Sequence, residues 1–207
     1  MNKFDVIIFD LGGVLLNIDF SKAQEAFEKL GMQNAQQHFG QYAQAGFFDD
    51  LDKGLIDEKQ LYDEIRKLLP GQVTDEQLRN AWNSMILDFP PHRIKLLKKL
   101  RNTHRLFLLS NTNSIHYPFY NKLIQSMGEE SLDSLFDYAY YSFNLGMRKP
   151  EAEIFQHVLD EQQLTPSKTI FIDDTLMHVQ QAKKMGISVI HLIDGMDVSE
   201  IFSLSGL

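Results

Sequence analysis

The residues best suited to chemistry stand in four short polar clusters, each following closely on an apolar stretch. The first, Phe9-Asp10-Leu11-Gly12-Gly13-Val14, sets a carboxylate ahead of two glycines. A carboxylate so placed can attack phosphorus or carbon, or bind a cation, while glycine lets the backbone approach a ligand closely. Asp beside Gly is equally ordinary turn chemistry. The second cluster, Leu109-Ser110-Asn111-Thr112-Asn113, offers hydroxyls, amides and backbone N–H groups that can hold a phosphoryl oxygen or, just as readily, cap a helix. In the third, Arg148 and Lys149 precede Pro150 at a predicted helix start, where the helix dipole disfavours cations unless an anion lies near. The fourth is Asp173-Asp174, two like charges that repel unless a cation or partner sits between them. Paired carboxylates among oxygen donors suit Mg²⁺, and the competing reading is a cap in front of Thr175.

These clusters matter together only if the chain brings them together. Five short apolar runs, rich in β-branched and aromatic residues, read as strands buried on both faces: 6–9, 106–109, 139–141, 169–172 and 188–192. Helical patterns alternate with them. Pro90 and Pro91 open a helix through Leu100, and Pro150 is predicted at a first helical position before Ala152, Ile154, Phe155 and Val158. A third helix covers 175–185, with Gly186 as its left-handed stop. Strand–helix alternation implies an α/β, doubly wound, Rossmann-like parallel sheet, whose strand carboxyl ends open into one crevice. All four clusters would then face each other.

Residues 17–90 break the alternation and carry only helical signals. Ser21 with Gln24 reads as a capping box with Gly31 as a stop, followed by Asp57 with Gln60 and Thr74 with Gln77. The expected organisation is an α/β catalytic domain from 1–16 and 91–207, with a helical domain of 17–90 inserted after the first strand. The alternative is one continuous domain with extra helices on its flank. Phe47, Phe48 and Asp49 fall in a short region between helical patterns from which a loop could reach the crevice, and Trp82 or His116 could line its wall. Aromatics at such spacing are more often core, and a lone His more often a satisfied structural residue.

Composition bounds the possibilities. Hydrophobic residues make up 43% of the 207, including 15 Phe, which is enough for a sizeable core and unlike a disordered chain. There is no cysteine, so disulfides, thiolate metal sites and cysteine nucleophiles are excluded and a reducing, cytoplasmic compartment is expected. The net charge of −8 argues against non-specific nucleic-acid binding, and no apolar run reaches the ~18 residues of a membrane span. The histidines show no ligand spacing that would suggest zinc.

With the motifs FDLGGV, LLSNTN, RKP and FIDD in this order, the sequence resembles the haloacid dehalogenase-like hydrolase superfamily along its whole length. It looks closest to the helical-cap branch related to sugar-phosphate (glucose-1-phosphate-type) phosphatases and to the N-terminal domain of soluble epoxide hydrolases. The resemblance implies a Mg²⁺-dependent phosphatase acting on a small phosphomonoester. Asp10 would be the nucleophile that becomes an aspartyl-phosphate, Ser110 and Asn111 would hold the phosphoryl group, and Lys149 would screen charge. Asp10, the Gly12 carbonyl, Asp173 and Asp174 would bind Mg²⁺, with Gly12, Gly13 and Arg148 around the substrate, and 17–90 would form the cap. One departure stands out: relatives usually carry a second Asp two residues after the nucleophile, as acid and then base, and here that residue is Gly12. Glycine cannot move a proton, and positioned acid–base help is typically worth ~10²- to 10⁴-fold. An acidic leaving group, the substrate or a water would have to compensate. The alternatives are a hydrolytic dehalogenase of the same fold, which needs neither that Asp nor a metal, and a catalytically weak phosphate-binding regulatory protein.

Overall fold

The computed structural model describes residues 4–37, 46–193 and 195–205. Five parallel strands form the sheet: β1 (Val6–Phe9), β2 (Arg105–Ser110), β3 (Tyr138–Tyr141), β4 (Thr169–Asp173) and β5 (Ser188–His191). Their spatial order is β3-β2-β1-β4-β5. The apolar runs predict all five, and their ends move by a residue or two: β2 extends to Ser110 and β4 to Asp173, so two polar cluster residues belong to the strands.

Alternation along each strand feeds two cores. Ile7, Phe9, Leu106, Leu108, Ile170 and Ile172 enter one, and Val6, Ile8, Phe107, Leu109 and Phe171 the other. The second core is closed by α8 (Ala152–Glu161) through Ile154, Phe155 and Val158. The first is closed by α5 (Pro91–Leu100) and α6 (His116–Ser126), and it continues without a break into the helices that follow β1. These are α1 (Phe20–Lys29), α2 (Gly46–Asp52), α3 (Glu58–Arg66) and α4 (Asp75–Asn83). Phe27, Phe48, Leu61 and Trp82 are their buried anchors. The remaining helices are α7 (Ser142–Leu145), α9 (Leu176–Lys184) and α10 (Val198–Ser205). Among the described residues no helix is long and apolar enough to cross a membrane.

The inserted helices are entered and left through a narrow neck. Asn17 N donates to Asp88 O at 2.9 Å, Leu87 N to Asn17 O at 3.0 Å and Asp19 N to Met85 O at 2.8 Å. The side chains repeat the contact, Asn17 Nδ2 to Asp88 Oδ1 at 3.0 Å. On the far side, Gly54 (φ +67°) packs its backbone so closely against the Phe143 carbonyl that a Cβ there would lie 2.2 Å from the oxygen.

Capping boxes form at Asp57/Gln60 and Thr74/Gln77 as the sequence predicts. Two termini differ from expectation. The first insert helix is capped by Asp19 and not by Ser21: Asp19 is extended and accepts from Ser21 N at 2.9 Å and Ser21 Oγ at 2.6 Å, which draws the start of the helix back to Phe20. Pro150 is not a first helical residue. Glu151 N donates to Arg148 O at 2.9 Å, closing a turn over Arg148 to Glu151, and α8 starts only at Ala152.

Candidate active site

The register of the sheet determines which polar residues meet. Phe9 stands level with Leu108 on one side and Ile172 on the other, so Asp10 emerges beside Asp173, and Ser110 ends the adjoining strand. Asp10 N is itself held by Ile172 O at 2.9 Å. The chain runs from β1 outward to β3, then returns to the opposite side of β1 with β4. The carboxylates therefore lie at the point where the strand order reverses, the usual ligand position of such sheets.

Lys149 organises this edge. Its ammonium is fully buried and lies 2.8 Å from Asp10 Oδ1 and 2.7 Å from Asp173 Oδ2. A buried cation is tolerable only with such partners. Burial opposes its charge, but the two carboxylates outweigh that and raise its proton affinity. What aims Lys149 is Asn111: its amide pairs with the Lys149 backbone in both directions, Nδ2 to the carbonyl and Oδ1 from the N–H, each at 2.9 Å. Asn111 thus spends its side chain on positioning the lysine, a use that no spacing in the sequence reveals.

Asp10, Asp173 and Asp174 bring carboxylate oxygens within 4.8 Å of one another. Their environments differ. Burial alone would raise Asp173, but Lys149 and His178, whose Nδ1 lies 3.0 Å away, hold it well below the usual carboxylate range, and Thr175 N donates to it at 2.7 Å. Burial raises Asp10, with Asp173 adding to the rise against the pull of Lys149. Asp174 is pushed up to about 7 by burial and by the charges of Asp10 and Asp173. Three hard oxygen donors crowded into a site that disfavours their negative charge fit a small divalent cation such as Mg²⁺. Gly13 explains itself here: at φ +72° a Cβ would lie 2.3 Å from Asp174 Oδ2. Its N–H donates to Leu16 O at 2.9 Å, so Gly13 serves the turn and the close approach of Asp174.

Above this floor lies a crevice of about 540 Å³ lined by Asp10, Gly12, Asn111, Arg148, Lys149, Asp174, His178 and others. The insert supplies its roof. Asp49, in α2 and not in a loop, ion-pairs with Arg148 Nη1, so the guanidinium predicted to meet substrate is engaged by a carboxylate. Asp52 is buried and accepts from Asn113 Nδ2 at 3.1 Å. Ser110 is buried at the rear of the site, and among the described residues its hydroxyl reaches the Asn111 carbonyl alone, at 3.5 Å. Phe48, Trp82 and His116 stack in succession, with ring centroids 4.5 and 4.8 Å apart, so Phe48 is core while Trp82 and His116 line a smaller chamber behind the crevice. Gly12 also borders both spaces; a Cβ on it would touch Ile18 Cδ1 at 3.0 Å. Sequence reasoning missed Asp52 and His178, whereas Asn113, named in the second cluster, caps the start of α6 by accepting from Ile115 N and His116 N. The Asp49–Asp52 spacing on one helix face was the available signal for the first.

The family model of the haloacid dehalogenase-like hydrolases matches residues 4–186. The chain belongs to this family. Among curated proteins, this hydrolase is 30% identical to the D-ribitol-5-phosphate phosphatase of Bacteroides thetaiotaomicron, over 92% of this chain and 93% of that one. It is 26% identical to the sesquiterpene phosphatase of Aspergillus oryzae, over 93% and 92%. Among solved structures, a haloacid dehalogenase-family enzyme from B. thetaiotaomicron, crystallised with magnesium and inorganic phosphate as an aspartate-to-alanine variant, superimposes with a TM-score of 0.90 at 35% identity. That match covers 96% of this chain and 98% of the other.

Proposed function

We propose that this hydrolase is a Mg²⁺-dependent phosphatase that cleaves small phosphomonoesters through an aspartyl-phosphate on Asp10. The observation that carries the reading is the buried Lys149 ammonium bridging Asp10 and Asp173 beside the Asp174 carboxylate. Relatives similar over nearly the whole chain are phosphatases, and a structural neighbour binds magnesium and phosphate. Asp10, Asp173, Asp174 and the Gly12 carbonyl would hold the cation, which supplies charge neutralisation for an incoming phosphoryl group.

In the first half-reaction an Asp10 oxygen forms a bond to phosphorus as the ester P–O bond breaks, and the departing oxygen takes a proton from solvent or from the substrate. In the second, water attacks phosphorus, releases inorganic phosphate and restores the Asp10 carboxylate. Lys149 holds Asp10 in place and offsets charge on the phosphoryl oxygens, so that the protein contributes mainly position and electrostatics. Ser110 and the backbone around Asn111 border the phosphoryl position, and residues 17–90 act as the cap over 1–16 and 91–207. Because Gly12 carries no proton, esters of more acidic alcohols should turn over fastest. A cytoplasmic location fits the lack of cysteine, and the net charge of −8 argues against a nucleic-acid partner.

A dehalogenase of the same fold needs no cation, so the three-carboxylate cluster favours phosphoryl transfer. The test is phosphate release from esters of graded leaving-group acidity, with and without Mg²⁺, using Asp10→Asn as control. Mg²⁺-dependent release that Asp10→Asn abolishes is expected. Release that survives Asp10→Asn, or none from any ester, would refute the proposal.

A further inference from the structure

Cleavage of an alkyl phosphate frees an alkoxide, which needs a proton, and the floor of the crevice has none to give. Asp10, Asp173 and Asp174 would be ligands of the cation, and the Lys149 ammonium is held by two carboxylates that raise its proton affinity. The roof supplies one further carboxyl. Asp52 lines the crevice with Asp10, Asn111 and Lys149, and both it and Gly12 also border the smaller chamber behind. Its side chain keeps 9% exposure within these two spaces. Asp52 Oδ1 accepts from Asn113 Nδ2, whereas Oδ2 has no hydrogen bond among the described residues and is not sealed off in protein.

The surroundings decide which oxygen carries a proton. Asn113 Oδ1 accepts from Ile115 N at 3.2 Å and His116 N at 3.0 Å at the start of α6. Its amide is therefore fixed with Nδ2 toward Asp52 Oδ1, at 3.1 Å. Oδ1 is an acceptor, so a proton on Asp52 sits on Oδ2. The neighbouring charges are committed elsewhere. Arg148 Nη2 lies 3.9 Å from Oδ2, but that guanidinium pairs with Asp49 through Nη1, and Lys53, the next residue of the chain, pairs with Glu151 at 2.5 Å. His116, across the chamber, is kept neutral by burial. Burial thus dominates and lifts the Asp52 carboxyl to about 7, which lets it serve as acid and then as base near neutral pH.

We infer that Asp52, a residue of the insert, is the proton carrier of the reaction, with Oδ2 facing the oxygen that leaves phosphorus. The inference rests on the phosphatase function proposed above and gives the proton, otherwise drawn from solvent or substrate, a fixed source. As the ester P–O bond breaks, its electron pair stays on the departing oxygen, which takes the Oδ2 proton across a hydrogen bond or one bridging water and leaves Asp52 as a carboxylate. In the second half-reaction that carboxylate takes a proton from the attacking water while the water oxygen bonds to phosphorus and the bond from phosphorus to Asp10 breaks. Asp52 ends protonated, and the sum is ester plus water giving alcohol plus phosphate.

The test compares two esters in Asp52→Asn, which keeps an acceptor for Asn113 and removes the proton. With Mg²⁺, kcat/KM is measured for p-nitrophenyl phosphate, whose leaving group departs without a proton, and for a simple alkyl phosphate, whose leaving group does not. The variant should lose about 10²-fold or more on the alkyl ester and less than about threefold on the nitrophenyl ester, so that the preference for acidic alcohols steepens. Because the attacking water also loses its base, the variant should release about one nitrophenolate per active site in a burst before a slow steady phase. An equal loss on both esters would mark Asp52 as structural, and undiminished cleavage of the alkyl ester would place the proton source elsewhere. Either result overturns the inference and leaves the phosphatase standing, whereas no release from any ester by the wild-type protein overturns both. Should Asp52→Asn not fold, Asp52→Ser, equally without an acid of this strength, carries the same comparison.

Discussion

On the floor of the crevice, Lys149 touches Asp10 and Asp173, and the three side chains are 0%, 11% and 0% exposed. On the roof, Arg148 meets Asp49 with side chains 21% and 39% exposed. The floor groups sit at ends of adjoining elements whose positions the sheet register and the Asn111 amide dictate. The roof pair is made by two side chains 99 residues apart, one of them on a short helix of the insert. Charges in the dry floor interact strongly and cannot be removed singly without leaving an orphan, whereas water and salt can replace either partner on the roof. Chemistry at phosphorus thus falls to the dry floor and adjustability to the half-buried roof pair.

The largest effect is expected of Lys149→Met. It should lower kcat by about 10²- to 10³-fold, the usual cost of removing one preorganised electrostatic group. In metal-free protein it should also cost about 3–5 kcal/mol of stability, since Asp10 and Asp173 would be left without their shared cation. Phosphate release and urea unfolding measure the two effects. Unchanged stability would mean that the floor is no more tightly coupled than the roof.

Asp52 belongs to the roof yet is buried, and burial pushes its carboxyl from 3.8 up to about 7 against the opposing hydrogen bond from Asn113. A folded-state value above the unfolded one means that its stabilising contribution is fully present below about pH 4 and is lost as pH rises through about 7. Asp52→Asn keeps an acceptor for Asn113 and removes the titration. Relative to wild type, the variant should gain about 2–4 kcal/mol between pH 4 and pH 8, read from denaturant midpoints. A difference that stays flat across this window would show that Arg148, whose Nη2 is 3.9 Å from Asp52 Oδ2, compensates the charge.

The smallest effect is expected at the half-buried roof pair. A double-mutant cycle with Arg148→Gln and Asp49→Asn should give a coupling below about 1 kcal/mol that shrinks with added salt. These variants should move KM more than kcat. A salt-independent coupling of several kcal/mol would place the roof in the same class as the floor.

Much of the floor could be read from the chain before any coordinates, because apolar runs of four to six residues ending in Asp10, Ser110 and Asp173 leave few other arrangements in a parallel sheet. The roof was far less legible. Asp49 could be placed near the crevice from its position, but on a loop and without its partner, and Asp52 carries no such positional signal; the packing of α2 against Arg148 and Asn113 supplies both. The family resemblance implies ligand contacts for Arg148 and Asn111, and the structure engages one with Asp49 and the other with the Lys149 backbone. Residue type limits what a group can bond to, and neighbours distant in sequence decide what it does bond to. The Asp19 cap was hidden for a more local reason: Asp19 and Ser21 are both good caps two residues apart, and only backbone conformation chooses between them.

The neck at Asn17 and Asp88 carries a consequence for how such proteins diversify. Because the two strands of the neck are already hydrogen-bonded to each other, the chain returns from the insert to within a few ångströms of where it left, whatever the helices between them do. The exposed face of that segment can therefore be resurfaced, altering what fits above Asp10, while its buried face stays joined to the core beneath the sheet.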